Sequence, residues 1–587
     1  MPTTKGRQSR KSSKAARSRR AWLSKHKQLD SSRPTRSSSS SSSESSNSIE
    51  DLFINSLYLT TTSLSSNNTL NNLCTSQQKI MAYERRKNNV VADSDETDFY
   101  QVIHNSFLLE LMRNTICIGC KEQWNGKIHI SLYCSLAFTC QKCEHTIQIN
   151  TSKMIPDTKH RDINIRVQLG AHLAGIGRAG VAKIFGTMNI PPPVKEDHYE
   201  EIDRKLLLPC IKKFQHQSMQ AAIYEAVDEN EGDPTNLTVS GDGTWQRRGF
   251  KSIHGIAAVL SCNTTPKVLD VQRLSKKCVI CTGALSVKNT DPDLYVEIIN
   301  NHDCESNYDG SSGGMESQGI QDIFKRSVPN YQVQYTRYIG DGDSSVMWNL
   351  TQHPPYPDIK IEKIEDINHW SKRMLYRLEK LTQELKDTML DPEKKRKGIG
   401  GVNRLTKGTK YDQQKHSLPK YVMEAIKPAF EDLASKETLQ HVLNGSSQNA
   451  NESFHSFLWS MAPKNRYCSG TIIDICLGLA VMIYNDGYLS IGEILHELLG
   501  EMGHFSYVAF DRINKQRVQK EAQWRKRRGQ QIAGDEDTND DEDTDDDEDK
   551  NDDTIEDYHS GAYRTVIFTS LLFLKKRDCN DGRASRI

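Results

Sequence analysis

The chain has 587 residues, of which 36% are hydrophobic and 26% are charged, and its formal net charge of +1 hides opposite charges at its two ends. Residues 1–27 hold ten Lys and Arg and no acid, whereas residues 535–557 hold sixteen acids and one lysine. The remainder is close to neutral, which excludes a uniformly basic surface and leaves local patches or the N-terminal arm to provide any nucleic-acid affinity. Apolar runs such as the nine residues 566–574 are too short to span a bilayer, and no apolar signal segment follows Met1, so we expect an intracellular protein without a membrane partner.

Residues 1–97 are rich in Ser, Thr, Asn, Lys and Arg, with an unbroken serine run from Ser37 to Ser43. Such a composition cannot bury enough apolar surface to offset its ordering entropy, so we expect a disordered tail. Its basic opening is typical of a nuclear-import signal or a DNA-contacting arm. The alternative is a solvated tail that no receptor binds.

The next segment, residues 98–155, carries two C-x-x-C pairs separated by β-like sequence. The pairs are Cys117 with Cys120 and Cys140 with Cys143. Cysteines in this spacing are typical of a four-thiolate structural Zn²⁺ site, because packing alone rarely produces paired spacing. The alternative is four unligated core cysteines.

Residues 156–234 show apolar positions at intervals of three and four and contain a triple proline, Pro191–Pro193, which predicts a helical region without catalytic residues. The following segment, residues 235–510, begins with three predicted strands joined by short connections, 237–240, 253–261 and 267–274, hence an antiparallel meander. A helical insert with a helix at 315–327 precedes two further strands, 333–339 and 359–364. Residues 511–587 combine a basic amphipathic segment, the acidic run and a disordered tail.

Three acids lie on separate predicted elements of this segment. Asp242 ends the first strand, Asp341 ends the fourth, and Glu452 lies on a predicted helix. A carboxylate at the end of a buried strand is costly unless it binds a cation, and two divalent ions held by carboxylates catalyse in-line phosphoryl displacement. The order of elements predicts a mixed α/β fold with a ribonuclease H-like core that binds Mg²⁺ or Mn²⁺ at these acids. The alternative is three scattered surface acids.

Several long sequence motifs, in a fixed order along the chain, resemble those of a known family. The strings GDGTWQRRGF, KVLDVQRLSKKCVIC, GSSGGMES, YIGDGDSS, RLTKGT and QNANESFHSFLWSMAPK resemble the Mutator-like transposase domain of animal transposable elements, over roughly Cys117 to Gly503. The resemblance implies a DDE transposase whose catalytic triad is Asp242, Asp341 and Glu452, with Asp343 as the alternative second acid. It implies strand cleavage by activated water, followed by attack of the freed 3′ hydroxyl on target DNA in the nucleus. A second copy of the chain, in a homo-oligomer, is a further candidate partner.

Two other groups of residues are candidates for binding. Cys278 and Cys281, followed by His302 and Cys304, could form a second Zn²⁺ site, the alternative being unligated packing. Trp245, Arg247 and Arg248 follow the first acid, where cationic and aromatic surface could hold a DNA strand. The alternative is that Trp245 is a core aromatic.

The sequence also departs from the family pattern. The cysteine of a C-x-x-H motif common after the second acid is replaced by Asp366, and the segment between Thr409 and His416 is short. The shortening predicts a looser approach of Glu452 to the two aspartates. The rival function is therefore a catalytically inactive, transposon-derived DNA-binding or chromatin-associated protein, and a nuclease without strand transfer is a third.

Overall fold

The computed structural model describes residues 73–87, 98–130, 134–140, 142–246, 252–340, 344–388, 424, 426–428, 430–431 and 447–534. The basic opening, the acidic run, the short segment between Thr409 and His416, and four candidate site residues lie outside the described residues; the four are Arg247, Arg248, Asp341 and Asp343.

The elements form two sheets surrounded by helices. The strands are β1 (Trp124–Ile130), β2 (Cys134–Cys140), β3 (Thr146–Asn150), β4 (Leu237–Trp245), β5 (His254–Ser261), β6 (Val268–Ser275), β7 (Tyr335–Gly340) and β8 (Glu362–Glu365). The helices are α1 (Thr75–Arg86), α2 (Asn105–Arg113), α3 (Asp162–Leu173), α4 (Arg178–Thr187), α5 (Glu196–Ile202), α6 (Leu208–Glu229), α7 (Val279–Ala284), α8 (Pro292–Asn300), α9 (Gly314–Tyr331), α10 (Ser344–Gln352), α11 (Ile367–Thr388), α12 (Asn449–Met461), α13 (Gly470–Asp486), α14 (Ile491–Leu499) and α15 (His504–Gly534). A π-helical turn, Asp203–Leu207, joins α5 to α6, and a 3₁₀ turn, Tyr488–Ser490, joins α13 to α14.

The larger sheet has the strand order β6-β5-β4-β7-β8. β4, β5 and β6 pair antiparallel, which confirms the predicted meander, whereas β7 pairs parallel to β4 and β8 pairs parallel to β7. A parallel partner needs a crossover connection, and the helical insert that contains α7, α8 and α9 provides it between β6 and β7. The fold is therefore mixed α/β, as predicted.

Helices cover both faces of this sheet, and alternate residues of each strand face opposite sides. On one face, Val239, Ala257 and Val259 pack with Ile320, Ile323 and Phe324 of α9. On the other, Ile256, Ala258 and Leu260 pack with Phe454 and Leu458 of α12 and with the apolar helix α13. Burying a side chain such as Phe324 contributes about 1.5–3 kcal/mol to the free energy of folding. The helices on both faces therefore stabilise the sheet.

Two glycines let α9 approach β4 closely. A Cβ atom on Gly241 would lie 2.5 Å from the Tyr338 ring, and one on Gly243 would lie 2.7 Å from side-chain carbons of Glu316 on α9. Any larger residue would push α9 or Tyr338 away from the strand. The two glycines that bracket Asp242 therefore face α9, and Asp242 between them faces the opposite side, toward α12.

The smaller sheet is an antiparallel β1-β2-β3 sheet. It lies in the predicted zinc-binding segment, with α2 before it. The predicted helical region follows as α3, α4, α5 and α6. No helix among the described residues is long and apolar enough to cross a membrane.

The prediction that residues 1–97 are disordered throughout is wrong for residues 75–86, which form α1. Tyr83 donates a hydrogen bond to Glu493 (3.0 Å), and Arg86 pairs with buried Asp486 (2.8 Å). Lys79 is buried, with its ammonium 3.6 Å from the centre of the Tyr484 ring, and burial lowers its pKa well below the ordinary lysine value. Because polar contacts hold α1 against the rest of the chain, its sequence lacks the apolar pattern from which a packed helix is predicted.

The predicted boundary at residue 510 is also wrong as a division of structure, because it falls inside α15. Glu521 of this helix accepts hydrogen bonds from the backbone amides of Thr75 and Ser76, each at 3.0 Å. The basic segment is thus a rigid continuation of the core rather than part of a separate tail.

Candidate functional site

The predicted end of the first strand at Asp242 is wrong, because β4 continues to Trp245. Asp242 lies within the strand, three residues before its end, and its side chain is partly exposed. One carboxylate oxygen, Oδ1, accepts a hydrogen bond from the Gly243 amide (2.8 Å), and the other, Oδ2, lies 3.4 Å from Nδ1 of His455. His455 is buried, and no described residue makes a hydrogen bond with its Nε2. The carboxylate is therefore oriented by α12 while keeping access to solvent.

Three polar side chains attach α12 to the strand that carries Asp242. Gln448 donates a hydrogen bond to the Gly241 carbonyl (2.7 Å). The Asn451 amide accepts from the Ser240 hydroxyl (2.8 Å) and donates to the carbonyls of Ser240 and Ala258 (3.3 Å each). The Trp459 indole donates to the Thr244 hydroxyl (2.8 Å). Because these contacts lie in the first and last turns of α12, they fix both its position and its rotation on β4.

Glu452 is exposed and lies between these anchors in the sequence. It directly follows Asn451 and precedes His455 by three residues, and positions three apart are neighbours on a helix surface. Glu452 is thus next to the histidine that contacts Asp242. The short segment before α12 does not prevent the helix from docking on β4, although a looser approach of the Glu452 carboxylate stays a prediction.

The second acid lies outside the described residues, but the strand before it does not. β7 ends at Gly340, one residue before Asp341, and its Ile339 pairs in parallel with Ser240 of β4. Ser240 precedes Asp242 by two residues, as Ile339 precedes Asp341. The roles of Asp341 and Asp343 stay predictions.

Sequence reasoning missed the residues that dock α12. Gln448, Asn451 and His455 recur at intervals of three and four on the predicted helix, and this buried polar stripe is the signal that could have found them. The Trp459 side chain is buried against β4 as well.

Trp245 ends β4 as a partly buried residue. Its indole Nε1 donates a hydrogen bond to the Ser312 carbonyl (2.9 Å), and its ring lies beside Gly255 of β5. These contacts give Trp245 a packing role at the end of the strand. A DNA contact by this residue stays a prediction.

The four cysteines of the N-terminal pairs come together, as predicted. Cys117 Sγ lies 3.5 Å from Cys143 Sγ, and Cys120 Sγ lies 3.1 Å from Cys140 Sγ. All four sulfurs are within 4.8 Å of one another. Hydrogen bonds from the backbone at Cys143 and from the Cys120 thiol lower the pKa of Cys140 to about 6. The cluster could hold a metal ion, since its thiols converge and one favours the thiolate form.

The second predicted group also converges. His302 Nε2 lies 3.4 Å from Cys278 Sγ and 3.2 Å from Cys281 Sγ, which in turn lies 3.5 Å from Cys304 Sγ. The other ring nitrogen of His302, Nδ1, lies 2.9 Å from the Ile298 carbonyl. That carbonyl needs a donor, so Nδ1 carries the proton and Nε2 is left with a lone pair aimed at the sulfurs. This cluster too could hold a metal ion, and it ties α7 to the end of α8.

The family model of the Mutator-like transposase matches residues 98–455, more than half of the chain. The chain belongs to the Mutator-like transposase family. The match begins before α2 and ends at His455 on α12, so it includes both cysteine clusters, Asp242 and Glu452. None of the curated proteins searched matches the chain significantly.

In this member of the family, the boundary of the match separates two parts of the structure. The smaller sheet with its cysteine cluster, the larger sheet and the first half of α12 lie inside it, whereas α13, α14 and α15 lie outside it. These outer helices nevertheless contact the matched part: the Tyr484 hydroxyl of α13 donates to the Ala450 carbonyl of α12 (3.1 Å).

Proposed function

We propose that the protein is a DNA transposase that cleaves transposon ends and joins them to target DNA by DDE chemistry. The observation that carries the proposal is the docking of α12, which attaches the helix of Glu452 to the strand of Asp242 through Gln448, Asn451 and Trp459. Family membership supports DNA as the substrate. The basic opening, residues 1–27, supports action in the nucleus.

The strand order supports a ribonuclease H-like core. Three antiparallel strands, β4 to β6, are followed by β7 and β8, which add in parallel on the other side of β4. In this topology β4 and β7 are central neighbours that run in the same direction. Asp242 lies within β4 and Asp341 directly follows β7, each two residues after the paired Ser240 and Ile339. The two acids would therefore lie side by side at one end of these strands.

The carboxylates fit hard divalent cations. Mg²⁺ or Mn²⁺ prefers carboxylate oxygens and keeps several waters, and Asp242 is partly exposed and Glu452 exposed to solvent. When bound, such ions supply an activated oxygen and stabilise the leaving one. In our proposal Asp242, Asp341 and Glu452 hold them, and His455 orients the Asp242 carboxylate from behind.

Incubation with Mg²⁺ and a labelled DNA duplex that carries the ends of the encoding element tests this function. We expect nicked ends and a joined product when target DNA is present. Nicked ends without a joined product would indicate a nuclease of the same fold. DNA binding that needs no Mg²⁺, with neither product, would support the rival function of an inactive DNA-binding protein.

The two cysteine clusters are proposed as structural Zn²⁺ sites. Four ligands with at most one histidine leave no open position for a substrate, as in structural zinc sites. We expect the purified protein to contain two equivalents of zinc and Cys281→Ser to contain about one, because thiolate ligands dominate the affinity. Elemental analysis measures this, with Cys262→Ser, a cysteine outside both clusters, as the control.

A further inference from the structure

The last helix of the structure, α15, has two chemically different faces. At about 100° per residue, one face presents Asn514, Arg517, Glu521 and Arg525. Asn514 accepts from the Tyr488 amide (2.8 Å) and Arg517 donates to the Ile483 carbonyl (2.9 Å). Glu521 accepts from the amides of Thr75 and Ser76, and Arg525 donates to the Thr75 hydroxyl (3.0 Å). This inner face attaches α15 to α1 and α13.

The outer face is cationic. Arg512, Lys520, Lys526 and Arg527 are exposed and fall within an arc of about 120° on the helix surface. Lys515, exposed on the same side, pairs with Asp511 (2.6 Å). Between positions 512 and 527 the sole acid is Glu521, on the inner face. The spaces between the cations are filled by three glutamines, Gln516, Gln519 and Gln523.

We propose that this outer face of α15 is a DNA-binding surface that contacts the phosphate backbone. From Arg512 to Arg527 it extends for about 22 Å, and duplex DNA carries one negative charge per about 1.7 Å of axis, so four cations can each reach a phosphate. Glutamine side chains add hydrogen-bond donors for phosphate and sugar oxygens. Trp524, 51% exposed at the edge of this face, adds aromatic surface of the kind that stacks on nucleic-acid bases.

The inference rests on the proposed function for the choice of DNA over other polyanions. Between Arg512 and Arg527 the exposed large apolar side chains are Ile513 and Trp524, both at one edge of the outer face, and they do not form the apolar face that an amphipathic helix needs to lie in a bilayer. The contacts between α15 and α1 hold the outer face of α15 in place before DNA binds, which reduces the entropy cost of association. α15 lies outside residues 98–455, so family membership does not assign this surface.

The surface is connected to the proposed catalytic helix through packed helices. Arg517 of α15 contacts α13 at Ile483, and Tyr484 of α13 contacts α12 at Ala450, two residues before Glu452. DNA held on α15 is therefore held by the same rigid body that carries Glu452. Contact with α15 would keep the duplex in place while the acids act on one of its strands.

A salt titration of DNA binding tests the proposal with the full chain. The test variant combines Arg512→Gln, Lys520→Gln, Lys526→Gln and Arg527→Gln, and the probe is a fluorescent duplex of arbitrary sequence without added divalent ions. The slope of log affinity against log salt changes by about 0.9 per phosphate contact, so we expect the loss of four contacts to make it less negative by about 3.6. At a fixed salt concentration we expect affinity to fall by at least about tenfold.

The matched control removes four exposed lysines on other elements, Lys183→Gln, Lys195→Gln, Lys288→Gln and Lys325→Gln. Loss in the test variant with retention in the control supports the proposal. An unchanged slope in the test variant, an equal loss in the control, or tighter binding of an RNA duplex overturns it. Absence of DNA binding by the wild type overturns the proposed function as well. If the melting temperature of the test variant falls below that of the wild type, the double variant with Lys520→Gln and Arg527→Gln is judged by the same criteria. Its expected change in slope is about 2.

Discussion

Replacement of Asp242 with asparagine is expected to reduce metal-dependent DNA cleavage by about a thousandfold or more. Asparagine keeps the size of the side chain and can still accept the hydrogen bond of the Gly243 amide, but it removes the negative charge that a divalent ion requires. Loss of several kcal/mol of transition-state stabilisation corresponds to a rate loss of this size. Single-turnover cleavage of the labelled duplex in Mg²⁺ measures it.

The control for this experiment is Asp309→Asn, which removes an exposed carboxylate from the loop before α9. We expect cleavage by this variant to equal that of the wild type. The Asp242→Asn variant should also bind the duplex with wild-type affinity and lose the rise in melting temperature that Mg²⁺ gives the wild type. Equal cleavage by Asp242→Asn and the wild type would contradict the assignment of Asp242 to the triad.

The second large effect is expected at Asn451, which contacts no substrate in our proposal. Its amide makes three hydrogen bonds to β4 and β5 in a fully buried position. Asn451→Ala removes them and leaves the buried Ser240 hydroxyl without this partner, so we expect a loss of about 2–3 kcal/mol in the free energy of unfolding. Urea denaturation followed by circular dichroism measures this loss.

The same substitution should slow cleavage by about a hundredfold at a temperature where the variant is folded. Asn451 directly precedes Glu452, and a displacement of about 1 Å in a reacting group can cost this much. Ser453→Ala, an exposed position on the same helix, is the control and should change stability by less than about 0.5 kcal/mol. A folded Asn451→Ala protein with full activity would show that the docking of α12 does not position Glu452.

The elements of the larger sheet could be predicted from the sequence because their signals are local. Apolar alternation and short turns between residues 237 and 274 predicted the antiparallel meander, and β4, β5 and β6 confirm it. The two cysteine groups were also predicted, since C-x-x-C spacing constrains two ligands by itself. In both cases the residues that cause the structure are close together in the chain.

The helices at the ends of the core could not be predicted in the same way. α1 is polar in composition, and its stability depends on Asp486, Glu493 and Glu521, which lie some 400 residues further along the chain. The two faces of α15 likewise depend on α1 and α13. Hydrogen bonds and ion pairs between distant segments leave no periodic apolar pattern, so neither composition nor periodicity revealed them.

The sequence by itself determined the family, the identity of the candidate acids and the members of both cysteine clusters, because these depend on residue type and spacing. The tertiary structure decided how α12 meets β4: the buried amides of Gln448 and Asn451 bind backbone groups of the strand, and His455 contacts the Asp242 carboxylate. Hydrogen-bond satisfaction of buried groups is a property of two elements together. For that reason the orientation of Asp242 and the attachment of the helix that carries Glu452 could be read from the tertiary structure but not from the sequence.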